Sequence, residues 1–163
     1  LGVASPFGAQ MDSLADMCSF GLAAPVVVYA ALAHTVPTAV AAIACILVAG
    51  CAAIRLARFN VSPKDGRFFS GVPTTLVAAV LALTVLIELP LPGIAVVGGV
   101  ALLAFAMVSS FPYAKVARLV KLPPWLWVLP IVGAFVDPRL TFVLLVGAYL
   151  VSGPVMWVRT QRV

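Results

Sequence analysis

The chain has 163 residues, of which 64% are apolar and 9% charged, with a formal net charge of +5. A soluble domain carries about 25% charged residues to cover its surface. A mean hydropathy of +1.20 therefore leaves lipid as the solvent, which excludes soluble-enzyme and nucleic-acid-binding classes.

Six apolar runs alternate with short polar breaks. The first spans about Gly8 to Ala33 and ends at His34-Thr35; the second, about Val36 to Ala57, leads into the basic stretch Arg55–Asn60. A polar loop from Ser62 to Arg67 precedes a third run, about Gly71 to Leu89. The turn Pro90–Gly93 opens a fourth, about Ile94 to Ser110, followed by a basic segment with Lys115, Arg118 and Lys121. Pro123-Pro124 begins a fifth run to Val136, and Asp137–Arg139 turns into a sixth, about Leu140 to Trp157. Most approach the ~20 residues that cross a hydrocarbon core. Continuous apolar runs, rather than alternating ones, predict helices and not a barrel. The expected fold is an all-α polytopic transmembrane helix bundle of about six spans, forming one domain over residues 1–163.

Leu1 is preceded by no initiator Met or signal-peptide pattern, so the sequence is expected to begin inside a longer protein. Cys18, Cys45 and Cys51 have no paired spacing and read as small buried apolar residues.

Charge sets the topology. With the chain starting on the cytoplasmic side, Arg55, Arg58, Lys64, Arg67, Lys115, Arg118, Lys121, Arg159 and Arg162 share that side and only Arg139 lies opposite. This bias is the positive-inside pattern, with contacts to anionic head groups. It places Gly8–Asp16 at the cytoplasmic face, with the bacterial cell membrane as the expected location.

The acidic residues are then informative. Asp65 lies in the loop, and Glu88 and Asp137 at far-side helix ends, but Asp12 and Asp16 share the first helix. Their i, i+4 spacing stacks both carboxylates on one face. Such a like-charged pair at a membrane edge points to function. Gly8, one turn earlier, extends the face to G-x-x-x-D-x-x-x-D and leaves room for another group. Hard carboxylate oxygens suit Mg2+ or Mn2+. Capping of the helix N-terminus is the alternative, but positions 12 and 16 are deep for it, and Ser5 or Ser13 would serve instead.

Residues 7–21, FGAQMDSLADMCSFG, resemble the second half of the CDP-alcohol phosphotransferase signature, D-x-x-D-G-x-x-A-R-x8-G-x3-D-x3-D. Within that family they resemble the phosphatidylserine synthase branch, as do RLARFN at 55–60, FSGVP at 69–73 and FPYAK at 111–115. The branch pattern G-L-P-x-P is departed from at Gly71-Val-Pro73-Thr-Thr75, which lacks the second proline. The motif's first half would lie upstream of Leu1, so residues 1–163 alone are expected to hold half of the metal site and to be inactive.

The resemblance implies transfer of a phosphatidyl group from CDP-diacylglycerol to L-serine, with release of CMP. It implies a two-metal centre of Mg2+ or Mn2+, with Asp12 a ligand and Asp16 a general base that also touches metal. Gly8 would make room for the nucleotide. Arg55, Arg58, Asn60 and Lys115 would contact substrate, and the protein is expected to be a homodimer. Arg55 and Arg58 suit oxyanions, the alternative being membrane anchors; Arg67 would line the mouth of the site or remain a solvated charge. Other acceptors, glycerol phosphate or inositol phosphate, stay open within the family. An ion-coupled transporter is the alternative from another class, but it expects acids near the midplane and repeated halves. His34 and the tryptophans Trp125, Trp127 and Trp157 read as interfacial.

Overall fold

The computed structural model describes residues 5–61, 69–109, 112–113 and 125–160. Lys64, Asp65, Arg67, Lys115, Arg118, Lys121 and Arg162, on which several expectations fall, lie outside the described residues. The described residues form two compact units, 5–61 with 72–109 and 69–71 with 112–113 and 125–160.

In the first unit, α1 (Pro6–Asp16) runs on through widened π-helical turns (Met17–Ala23) into α2 (Ala24–Leu32). Ser5 caps it, its Oγ accepting from Gly8 N at 3.1 Å, and Pro6 occupies the first turn, where no N–H is needed. A single α-helix through this run is what apolarity alone suggests. Pro25 explains the widening: a proline ring collides with the carbonyl four residues back, here that of Gly21, and an i to i+5 turn relieves the collision.

Helix α3 (Thr38–Val61) follows a short turn. Its buried residues Ala41, Ala44, Val48, Cys51, Ala52 and Leu56 recur at three- and four-residue intervals, a single helical stripe. The α1–α2 helix packs antiparallel on that stripe. Pro25 O accepts from Cys45 Sγ at 3.1 Å, a Cβ on Gly21 would lie 3.2 Å from Ala52 Cβ, and Ser13 Oγ lies 3.1 Å from Asn60 Oδ1. Position numbers rise on one helix as they fall on the other. Helices α4 (Thr74–Leu86) and α5 (Gly93–Val108) each start after a proline, Pro73 and Pro92, with extended ψ. Helix α5 packs most extensively on α3, and α2 lies against both α3 and α4.

Pro6–Leu32 and Thr38–Val61, of 27 and 24 residues, are long and apolar enough to cross a membrane. Helices α4 and α5, of 13 and 16 residues, are shorter and equally apolar. Val28, Val48, Val77, Leu81 and Met107 form the core, while Ile43, Ile46, Ile54, Leu102 and Phe105 are exposed. Apolar side chains outside as well as inside are the arrangement of a membrane helical bundle, where lipid covers the outer face.

In the second unit, Phe69–Ser70 (β1) and Pro112–Tyr113 (β2) make a two-residue antiparallel bridge, Phe69 opposite Tyr113 and Ser70 opposite Pro112. Gly71 follows with φ 81, a left-handed turn that glycine adopts without strain. Helices α6 (Trp125–Val136) and α7 (Pro138–Thr160) form a hairpin. Asp137, expected among far-side head groups, is the N-cap of α7: its Oδ1 accepts from Arg139 N at 3.0 Å and Leu140 N at 3.1 Å.

The cysteines are free and differ in setting: Cys51 is buried as expected, Cys45 half-buried, and Cys18 exposed. His34 is exposed in the turn after α2.

Candidate functional site

Gly8, Asp12, Asp16, Arg55, Arg58 and Asn60 lie at one end of the first unit. That end holds the start of α1, the end of α3, the start of α4 and the end of α5, as the antiparallel order requires. At the opposite end the turn after α2 meets the start of α5, where a Cβ on Gly93 would lie 2.7 Å from Val36 Cγ1.

Gly8, Asp12 and Asp16 stand at successive turns of α1, on one face. Asp12 is exposed and Asp16 half-buried. Capping does not explain them, since Ser5 holds that role. No hydrogen bond or ion pair among the described residues engages either carboxylate. Gly8 is exposed, and a Cβ there would meet only Ser5 Oγ, at 3.3 Å.

The stretch RLARFN is helical to Val61, so its polar side chains are fixed to α3. Arg55 is half-buried, and its Nη1 donates to Thr74 Oγ1 at 3.4 Å. Thr74 is the first residue of α4 and only 3% exposed. Arg58 is exposed, and its Nη1 donates to the carbonyl of Val108 at 3.2 Å. That carbonyl ends α5, where unpaired helix carbonyls and the helix dipole favour a cation. The two guanidinium groups thus hydrogen-bond to different helices. Asn60 is exposed and reaches α1: its Nδ2 donates to Gln10 Oε1 at 3.4 Å, and its Oδ1 faces Ser13 Oγ at 3.1 Å.

Gln10 and Thr74 were not among the expected site residues, and Ser13 was read only as a candidate helix cap. For Gln10 and Ser13 a signal existed: two polar side chains three apart on an otherwise apolar helix, beside the acidic pair. Thr74 carried none, because a threonine after proline at a helix start is commonplace.

No group of three His, Cys, Asp or Glu side chains converges among the described residues. Asp12 and Asp16 do supply two hard oxygen donors one turn apart, with no hydrogen bond drawing them away. They fit an ion such as Mg2+ or Mn2+ that takes its other ligands from elsewhere.

The sequence model of the CDP-alcohol phosphatidyltransferase family matches residues 1–111. The chain belongs to this family. The acidic face of α1 falls within the matched residues. A CDP-diacylglycerol–serine O-phosphatidyltransferase of Helicobacter pylori is 32% identical over 94% of this chain and 69% of its own length. An enzyme of the same name from Mycobacterium leprae is 42% identical over 45% of this chain and 26% of its own length. An archaetidylserine synthase of Methanothermobacter thermautotrophicus is 34% identical over 47% of the chain and 32% of its own length. The chain thus spans about a quarter to two thirds of the curated relatives it matches.

Proposed function

We propose that this phosphatidyltransferase segment serves an enzyme that transfers the phosphatidyl group of CDP-diacylglycerol to the hydroxyl of L-serine, giving phosphatidylserine and CMP. The observation that carries the reading is the Gly8–Asp12–Asp16 face, set at the same bundle end as Arg55 and Arg58, within the matched residues. The names of the relatives support serine as the acceptor, because the bacterial and the archaeal names both include it.

In this reading Asp12 and Asp16 would hold Mg2+ or Mn2+ together with ligands outside the described residues, and the cation would offset pyrophosphate charge. Asp16 accepts the proton of the serine hydroxyl at a carboxylate oxygen. The serine oxygen then bonds to the phosphorus that carries diacylglycerol. The bond from that phosphorus to the bridging pyrophosphate oxygen breaks, and CMP leaves with the electron pair. Gly8 keeps the helix surface open for the nucleotide one turn before Asp12, where a Cβ would meet only Ser5 Oγ.

Arg55 and Arg58 serve substrate oxyanions, for which a planar, permanently charged guanidinium is suited. Lys115 is proposed as a further substrate contact on the resemblance of FPYAK alone, since it lies outside the described residues. The site end faces the cytoplasm by the positive-inside bias, and the working unit is a homodimer in a bacterial membrane.

The test is a panel of acceptors. Native-length protein in detergent is given CDP-diacylglycerol with labelled serine, glycerol phosphate or inositol phosphate. Label in lipid from serine alone is expected, with equimolar CMP. Labelling from another acceptor, and none from serine, would overturn the assignment.

A further inference from the structure

Helix α1 carries the acidic face, yet none of its residues is buried. Apolar packing therefore does little to fix its rotation about its own axis. The side-chain hydrogen bonds that tie it to another helix, among the described residues, both end on Asn60. Ser13 Oγ lies 3.1 Å from Asn60 Oδ1, and Asn60 Nδ2 donates to Gln10 Oε1 at 3.4 Å. The Ser13 hydroxyl also lies 3.1 Å from Ala9 O, so its proton sits between its own helix and α3.

The angle between the two faces follows from helix geometry. With 3.6 residues per turn, the Gln10–Ser13 edge and the Gly8–Asp12–Asp16 face are about 130° apart. An anchor on the first edge turns the second away from α3 and holds it there. A second anchor lies where Gly21 meets Ala52. Gly21 is eight residues on from Ser13, and Ala52 eight back from Asn60. Losing the first anchor leaves α1 held from the Gly21 end only.

We propose that Asn60 is a positioning residue: its amide, clasped by Gln10 and Ser13, sets the direction in which Asp12 and Asp16 present their carboxylates. This departs from a direct substrate contact, because both ends of the amide are already engaged by α1. The inference deepens the proposed function and rests on it for the role of the carboxylates. The apolar stripe of α3 ends at Leu56, and Asn60 continues it one turn further as a polar terminus.

The test combines kinetics with binding of Mn2+ alone to native-length protein in detergent. Asn60→Ala and Ser13→Ala are compared with Ser13→Thr, which keeps the hydroxyl, and with the Asn60→Ala/Ser13→Ala double variant. Loss of the clasp is expected to lower kcat about tenfold in Asn60→Ala and about fivefold in Ser13→Ala, the scale of one or two hydrogen bonds. The KM for serine stays unchanged, Mn2+ binding weakens, Ser13→Thr resembles wild type, and the double variant is no worse than Asn60→Ala. A raised KM with unchanged kcat, a silent Ser13→Ala, or additive losses would overturn the proposal. Should Asn60→Ala fail to accumulate, Ser13→Ala against Ser13→Thr decides. Absence of serine transfer in wild type would refute the proposed function instead, while Mn2+ binding and its coupling across the double variant still read this one.

Discussion

Enlarging Gly21 tests the close approach of the first helix to α3. A Cβ there would lie 2.7 Å from Met17 Sδ, 3.1 Å from Met17 Cε and 3.2 Å from Ala52 Cβ. The thioether can swing aside, but Ala52 Cβ is fixed to the α3 backbone. Gly21→Leu adds three further carbons at a buried position. Overpacking of this kind costs about 1–3 kcal/mol, and the better helix propensity of leucine returns about 0.8 kcal/mol. A net loss of about 0.2–2 kcal/mol lowers Tm by up to about 8 °C for a chain of this size. Gly50→Leu is the control, because Gly50 is an exposed glycine of α3 whose added Cβ meets nothing within 4 Å. It should leave Tm unchanged or raise it. The assay is thermal unfolding of both variants in one detergent at one scan rate. Equal shifts in the two variants, or a Gly21→Leu protein as stable as wild type, would refute the packing argument.

Arg58→Ala should raise the KM for CDP-diacylglycerol about tenfold, the scale of a charge-assisted hydrogen bond, while protein yield falls less. Unchanged kinetics with a lowered Tm would reduce Arg58 to the cation at the end of α5. Removal of divalent cations with a chelator should abolish CMP release from native-length protein, and added Mg2+ or Mn2+ should restore it; full activity in excess chelator would remove the cation role from Asp12 and Asp16.

Much of the fold was legible because a lipid-facing helix announces itself by an apolar run and a proline at its start. Pro73 and Pro92 set the beginnings of α4 and α5 within a few residues of the expected positions. The stretch Arg55–Asn60 was placed at the end of the second span, and α3 carries it to Val61. The widened turns at Met17–Ala23 were not foreseen, because Pro25 sits in a run that hydropathy reads as uniform. The bridge of Phe69–Ser70 with Pro112–Tyr113 joins segments 43 positions apart and leaves no local pattern.

The site divides in the same way. Gly8, Asp12 and Asp16 share a face through four-residue spacing alone, which a sequence displays directly. Asn60 with Gln10 is a pairing across 50 positions, set by the antiparallel register of two helices, and only the fold reveals it. Asp137, expected at a helix end, had a legible cap signature, an acid before a helix-starting proline, and its carboxylate closes the N-terminus of α7.

The central claim is that the acidic face of α1 carries the chemistry of serine transfer. Serine-dependent CMP release by native-length Asp16→Asn, beside Glu88→Gln as an exposed acid at the opposite end of the unit, tests it most directly. The account predicts no measurable turnover in Asp16→Asn, with CDP-diacylglycerol binding retained, and wild-type turnover in Glu88→Gln. Sustained turnover in Asp16→Asn would contradict it.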